Sequence, residues 1–317
     1  MQNYKPPYTL NSAILKRVAD ICELLGRLSL FNGMQELHLR RVNRIRTIQG
    51  SLAIEGNTLT EDQITAIVDG KPVMAPLREV QEVRNAISVY EQCVGWSPLK
   101  EEYLLKAHEL LMLGLVDLPG YYRKRGVGVM GAKEMVHIAP PAVNVPHLMQ
   151  DLFSWLNSTD EHPLIVASVF HYEFEFIHPF EDGNGRMGRL WQMMILRDWN
   201  PLFANIPVES MIYANQQGYY RSINASGGDE GCTPFIEFML DVIFGTLVKM
   251  RVETLVKKTP VMIMEALMDN PDLTLADVAV VIGKSTSAVE RAVSKLRKDG
   301  RLIYVGAQKG GHWEILN

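Results

Sequence analysis

The sequence predicts a mainly α protein of two or three domains: helices packed on helices, one β-hairpin inserted among them, and a winged helix-turn-helix at the C-terminal end. Three observations predict it. Apolar residues recur at spacings of three and four through most of the 317 residues, the pattern of amphipathic helices. One interval, Gly120 to Ile138, breaks that pattern with glycines and short β-prone runs. From about residue 260 three short helical segments precede two strand-like ones flanking a glycine-rich turn. At 47% hydrophobic and 21% charged, the composition is average for a globular chain and excludes wholesale disorder, a collagen-like repeat and a coiled coil.

In chain order, a first amphipathic helix runs from Ser12 to Leu30 and another from Ala86 to Trp96. The hairpin follows, with its tip at Met130 to Glu134, and Pro140-Pro141 halts it. Val145-Pro146 leads into the next helix, and Ile165 to Phe176 forms the one after it. A long apolar helix from Pro234 to about Val256 ends at Lys257-Lys258-Thr259-Pro260, where the composition shifts. Beyond it lie helices at 261–268, 274–282 and 286–298, with Thr274 and Ser285 as N-caps, and strands at 300–305 and 313–316. The domains expected from this reading are 1–98, a helical N-terminal region; 99–259, a helical core with the hairpin; and 260–317, the winged helix.

A net charge of −4 and a pI near 6.1 exclude nucleic-acid binding by bulk charge, so any such binding must be local. Cys22, Cys93 and Cys232 lie far apart without a CxxC, and no apolar stretch of about 18 residues occurs. The expectation is a soluble, cytoplasmic protein with no membrane partner.

Chemistry concentrates in His178-Pro179-Phe180-Glu181-Asp182-Gly183-Asn184-Gly185-Arg186-Met187-Gly188-Arg189. Pro179 pushes His178 out of the helical region, which leaves an imidazole at a helix exit. Gly183 and Gly185 permit backbone conformations that turn successive amides into an anion-holding nest, and the helix starting behind them adds its positive dipole. Arg186 and Arg189, three apart, share a face and can grip phosphate oxygens. Of the carboxylates Glu181 and Asp182, the latter adjoins the nest and is better placed to hold Mg²⁺. Together these residues describe a polyphosphate site beside a proton acceptor. No GxxxxGK[ST] occurs, which argues against a P-loop kinase or ATPase.

This run resembles the Fic family signature HPFx(D/E)GNGRxxR and matches it at every specified position. The likeness covers roughly residues 100 to 250, and upstream Pro6-Pro7-Tyr8 and Leu25-Gly26-Arg27-Leu28 look like the N-terminal helices many members carry. The resemblance implies a Fic-type helical core whose hairpin, Val127 to Met135, is a flap that holds a target backbone by strand addition. It implies a protein adenylyltransferase that moves AMP from ATP to a Ser, Thr or Tyr hydroxyl of a protein, with His178 as general base and Asp182 as the Mg²⁺ ligand. Gly183, Asn184 and Gly185 would form the nest, with Arg186 on the β-phosphate and Arg189 on the γ-phosphate. Phe180 would face inward as a plug. Met187, Gly188, Tyr219, and Val129, Met130, Gly131 and Ala132 of the flap complete the implied binding set, Tyr219 lining the adenine pocket. An adenine-contacting Asn that some relatives carry eight residues after that Tyr is Gly227 here.

Further upstream, Ser51 and Glu55 lie one helical turn apart before the helix-stopping pair Gly56-Asn57. The segment looks like the family's inhibitory motif (S/T)xxxE(G/N), which implies a cis restraint in which Glu55 occupies Arg189. The same glutamate positions water for AMP removal in some relatives, and that reverse role is open here. Relatives often form dimers through the core, so a homodimer is a further expectation.

Other residues read more simply. His171, on the face of His178, is a core histidine with its hydrogen bonds met, and His137 is a surface or packing residue. The 16 methionines are core filler, and Lys257-Lys258 is a solvated helix end. In the winged helix, Lys284, Arg291, Lys295, Arg297, Lys298 and Arg301 face only Glu290 and Asp299, yet over 260–317 seven basic and seven acidic residues cancel. DNA and protein are both open as its partner, and a regulator whose core senses nucleotide stands beside the enzyme reading.

Overall fold

The computed structural model of the protein describes residues 4–29, 36–130, 135–255, 259–306 and 311–316. They fall into two compact units, residues 1–248 and 249–317. The expected N-terminal region and core thus share one unit.

The first unit begins with α1 (Ser12–Ser29), α2 (Glu36–Ile54), α3 (Glu61–Val68), α4 (Leu77–Gln92) and α5 (Glu101–Leu111). The hairpin strands β1 (Gly128–Met130) and β2 (Met135–Ile138) follow, then α6 (Val145–Ser158), α7 (Pro163–Ile177), α8 (Asn184–Trp199), α9 (Val208–Ala214), α10 (Gln216–Ala225) and α11 (Thr233–Leu255), whose last turns lie past the unit boundary at 248. Helix α1 buries the stripe Ile14, Ile21, Leu24, Leu25 and Leu28, as its apolar spacing requires. The helix expected at 86–96 starts nine residues earlier, behind Pro76, and ends at Gln92 because Gly95 turns the chain with φ +86°. Helix α3, which hydrophobic spacing alone did not mark, is fixed by a reciprocal cap in which Thr60 and Gln63 bond each other's backbone amides.

Helix α7 is buried along most of its length, as an apolar central helix should be, and packs along α8. Gly188 makes that contact close: a Cβ there would lie 2.7 Å from His171 Cδ2. Gly50 does the same for α2 on α9, where a Cβ would meet Ser210 N at 2.6 Å. Asn43 Nδ2 donates to Asn205 O, Ser210 Oγ to Arg46 O, and Gln216 Nε2 to Ile54 O, the last closing the end of α2. These contacts fix α2 against α9 and the segments on either side of it. In the hairpin, β1 and β2 pair antiparallel from Gly128 opposite Ile138, with a register shift at Val129/Met130.

The second unit holds α12 (Thr259–Asp269), α13 (Leu275–Ile282), α14 (Thr286–Lys298), β3 (Leu302–Val305) and β4 (His312–Ile315), the winged helix-turn-helix expected. Its core gathers Ile263, Leu267, Val278, Val289, Val293, Leu302 and Trp313. Thr274 caps α13 and receives Asp277 in return. Ser285 occupies the N-cap position of α14, but its hydroxyl makes no cap bond and approaches Ser287 Oγ instead. Lys257 and Lys258 lie outside the described residues. Among the described residues no helix is long and apolar enough to cross a membrane.

Candidate active site

His178 stands at the end of α7 in the left-handed region, φ +50° and ψ 61°, the single non-glycine residue with positive φ among those described. Such a conformation costs on the order of 1–3 kcal/mol and persists only where its surroundings over-determine it. Here Arg123 supplies the surroundings. Buried at 3% exposure, its guanidinium donates to His178 O (2.7 Å), Ile177 O (3.3 Å), Pro140 O (2.6 Å) and Arg125 O (2.9 Å). Its backbone amide donates to Pro179 O at 2.9 Å. One cation thus fastens the exit of α7 to the segment that follows β2.

The loop after His178 closes on itself. Asn184 Oδ1 accepts from Phe180 N, and its Nδ2 donates to Phe180 O, both at 2.9 Å. Phe180 is fully buried, the expected plug, and stacks on the His108 ring at 3.6 Å. His108 Nδ1 accepts from Gly120 N at 2.8 Å, so Nε2 carries the hydrogen and donates to Asp182 O at 3.0 Å. Neither nitrogen can take a second proton without breaking a bond, and burial lowers its pKa to about 4. Gly183, φ +85°, turns the chain into α8, and Asp182 Oδ1 accepts from its amide at 2.6 Å. The first-turn amides that follow have no carbonyl four residues back inside the helix, which leaves them as anion donors.

The two arginines are held apart. Arg189, side chain 1% exposed, donates from Nε to Ser51 Oγ (3.2 Å) and from Nη2 to Ser51 O (3.0 Å) and Glu55 Oε1 (2.7 Å). Burial acts to lower its pKa, but the charge of Glu55 overrides this and the guanidinium is held above its usual range. Gly185 admits that carboxylate: a Cβ there would stand 2.4 Å from Glu55 Oε1. Arg186, 5% exposed, turns instead to Asp182 Oδ1 (3.2 Å) and to Glu82 Oε1 of α4 (3.6 Å).

A model of the Fic/DOC family matches residues 98–196, and a winged helix-turn-helix DNA-binding model matches residues 257–303. The crystal structure of a Fic family protein from Desulfovibrio desulfuricans G20 is 44% identical, covers 99% of this chain and 98% of its own, and superposes with a TM-score of 0.76. The chain belongs to the Fic family. Its curated relatives include the protein adenylyltransferase Fic of Drosophila mojavensis, 30% identical over 76% of this chain and 51% of that protein. A probable protein adenylyltransferase of Aquifex aeolicus is 34% identical over 46% of this chain and 45% of that one. The chain spans about half the length of the curated relatives it matches. Fic-1 from C. elegans (aa134 - 508), 22% identical with a TM-score of 0.59, shares the fold.

Within this Fic protein the site residues read from sequence divide into two groups. His178, Asp182, Gly183, Asn184, Gly185, Arg186, Arg189, Ser51 and Glu55 come together around the start of α8. Met187 and Gly188 turn into the α7 packing, and Met187 is fully buried. Tyr219 is only 2% exposed, with its hydroxyl 3.1 Å from His171 Nε2, so it lines no open pocket; its neighbour Tyr220 is half-buried. Val129 and Met130 lie in β1, while Gly131 and Ala132 lie outside the described residues.

His171 is the core histidine expected: fully buried, Nδ1 2.6 Å from Gln192 Oε1, its pKa lowered by burial to about 3. Glu175, one turn on, has a side chain 11% exposed, and burial pushes its pKa up to about 8 against the pull of Arg189. Among the described residues no cluster of three metal-ligating side chains exists. Asp182, beside the nest, offers a half-exposed carboxylate, 3.5 Å from Arg78 through Oδ2. A single carboxylate fits Mg²⁺, which keeps its waters and takes other ligands from substrate phosphates. Sequence reasoning missed Arg123, His108 and Glu82, whose partners are distant backbone carbonyls or another helix and carry no local pattern.

Proposed function

We propose that this Fic protein is a protein adenylyltransferase that moves AMP from ATP to a Ser, Thr or Tyr hydroxyl of a protein, itself included, and is restrained by Glu55. The observation that carries the reading is the signature loop, complete from His178 to Arg189, folded around the start of α8. In the reaction His178 takes the hydroxyl proton, the oxygen bonds to the α-phosphorus, and the bond from that phosphorus to the bridging oxygen breaks and releases pyrophosphate. Gly185 and the first-turn amides receive phosphate oxygens, Arg186 the β-phosphate and Arg189 the γ-phosphate. Asp182 would hold Mg²⁺, which when bound neutralises charge on the leaving group.

The restraint is competition. Arg189 cannot serve a γ-phosphate while Glu55 lies 2.7 Å from it, and the 2.7 Å contact supports that reading. Transfer from ATP labelled on the α-phosphate should rise by about tenfold in Glu55→Gly, the value of roughly 1–2 kcal/mol for a half-screened ion pair, and vanish in Glu55→Gly/His178→Ala. No transfer by Glu55→Gly with Mg²⁺ present would overturn the assignment.

A second reading concerns the winged helix. Arg291, Lys295 and Lys298 are exposed along one face of α14, which suits contact with phosphate backbone, and we propose DNA as the partner of this unit. A mobility shift that weakens with salt and is lost in Arg291→Glu/Lys295→Glu supports it; a salt-independent shift untouched by the reversals overturns it.

A further inference from the structure

Helix α4 lies outside the signature sequence, yet its Arg78 faces Asp182 and its Glu82 stands between the exit of α2 and Arg186. Its Oε2 accepts from Asn57 Nδ2 at 2.8 Å. Its Oε1 lies 3.6 Å from Arg186 Nη1 and 3.7 Å from Arg78 Nε. Asn57 follows Glu55 by two residues, is buried, and donates also to Glu79 O at 3.2 Å. Thr58 adds its amide and hydroxyl to Glu79 Oε2 at 2.6 and 2.8 Å. The turn after α2, which carries Glu55, is thereby latched to α4 by the same carboxylate that faces Arg186.

The way Arg186 is held differs from the way Arg189 is held. Arg189 makes three hydrogen bonds to Ser51 and Glu55, whereas among the described residues Arg186 Nε and Nη1 make none. Glu82, side chain 14% exposed, retains Arg186 by charge and not by a short hydrogen bond. Arg189 leaves only Nη1 without an acceptor, and a buried guanidinium with two idle donors gains more from a new acceptor than one with a single idle donor does. A phosphate oxygen at hydrogen-bond distance supplies that acceptor, and the charge of Glu82, beside the hydrogen bond from Nη2 to Asp182, is what it must outweigh.

We infer that Glu82 is a positioning residue that holds Arg186 back from the β-phosphate, so that the two signature arginines carry two separate restraints, Glu82 against a diphosphate and Glu55 against the γ-phosphate. The inference rests on the nucleotide site proposed above. Glu82→Gln tests it on the full chain, because the amide oxygen still accepts from Asn57 while the charge facing Arg186 is gone. Titration calorimetry with Mg²⁺ and AMP, ADP or ATP should find ADP and ATP bound about fivefold more tightly by Glu82→Gln, with AMP unchanged. Glu55→Gln should tighten ATP but not ADP. Asn57→Ala, which cuts the latch and leaves the charge, should leave ADP affinity where it was.

Should Glu82→Gln fail to fold, Glu82→Asp, which withdraws the carboxylate by one methylene, should tighten ADP by a smaller factor. If Glu55→Gln tightens ATP while the Glu82 variants leave ADP unmoved, or tighten AMP equally, the role of Glu82 is refuted and the nucleotide site stands. If no variant binds any of the three nucleotides, the site assignment fails and Glu82's role fails with it.

Discussion

A methyl group on Gly185 is the most economical probe of the contact between α2 and α8. The Cβ of Gly185→Ala would stand 2.4 Å from Glu55 Oε1 and 3.0 Å from Arg189 Nη1. Gly185 has no positive φ, so alanine keeps the backbone and gains about 0.5–1 kcal/mol in helix preference. The strain therefore comes from Glu55. Either the carboxylate withdraws, giving up a half-screened pair worth about 1 kcal/mol and leaving a buried donor poorly served, or α8 shifts at about 1–3 kcal/mol. In Glu55→Ala neither cost arises, since the remaining neighbour is the far end of a flexible arginine. The double-mutant cycle of Gly185→Ala with Glu55→Ala should thus give a coupling of about 1–3 kcal/mol, with Gly185→Ala neutral or stabilising once Glu55 is gone. Urea unfolding followed by tryptophan fluorescence measures it, because Trp96, Trp155, Trp191 and Trp199 lie in the first unit and only Trp313 in the second. Additivity within about 0.5 kcal/mol would refute the reasoning.

Arg123→Met removes the donors to four carbonyls and should lower the stability of the first unit by about 3 kcal/mol; a loss below about 1 kcal/mol in urea would show the clamp to be dispensable. Glu175 keeps its proton up to about pH 8 when folded but loses it near 4.5 when unfolded, so it draws stability down as pH rises through that window. Glu175→Gln should gain on the parent by about 1 kcal/mol per pH unit between those limits, and a pH-independent difference in melting temperature would count against it. His108 acts with the opposite sign, since folding holds it neutral down to about pH 4 while the unfolded chain protonates near 6.5. The parent should therefore lose stability relative to His108→Gln as pH falls from 6.5 towards 4, and parallel urea midpoints over that range would contradict this.

The signature loop was legible because each of its residues acts on backbone only a few positions away. Asn184 closes on Phe180, Gly183 turns on Asp182, and Pro179 evicts His178 from α7. Ser51 and Glu55 were legible because helical geometry puts residues four apart on one face. Arg123 and His108 were not, since they serve carbonyls 55 and 74 positions away along the chain. Glu82 was hidden for a related reason: a glutamate among Arg78, Glu79 and Arg84 reads as a solvated helix face until folding brings Arg186 against it. Tyr219 and Met187 were assigned by motif position, and burial decided where they face, Tyr219 with its hydroxyl beside His171 of α7. In the winged helix, Thr274 with Asp277 announces α13 locally, whereas nothing in the sequence separates Ser285 in an N-cap position from Ser285 making a cap bond.

Ser51, Glu55 and Glu82 all precede the loop from His178 to Arg189 along the chain. During synthesis at about 5–20 residues per second, helices α2 and α4 leave the ribosome several seconds before either arginine does. When Arg186 and Arg189 emerge, the carboxylates that pair with them are already made, so the nascent loop can close onto its counter-charges as it folds. A freshly translated molecule thus need pass through no interval in which both guanidiniums lack a carboxylate to pair with.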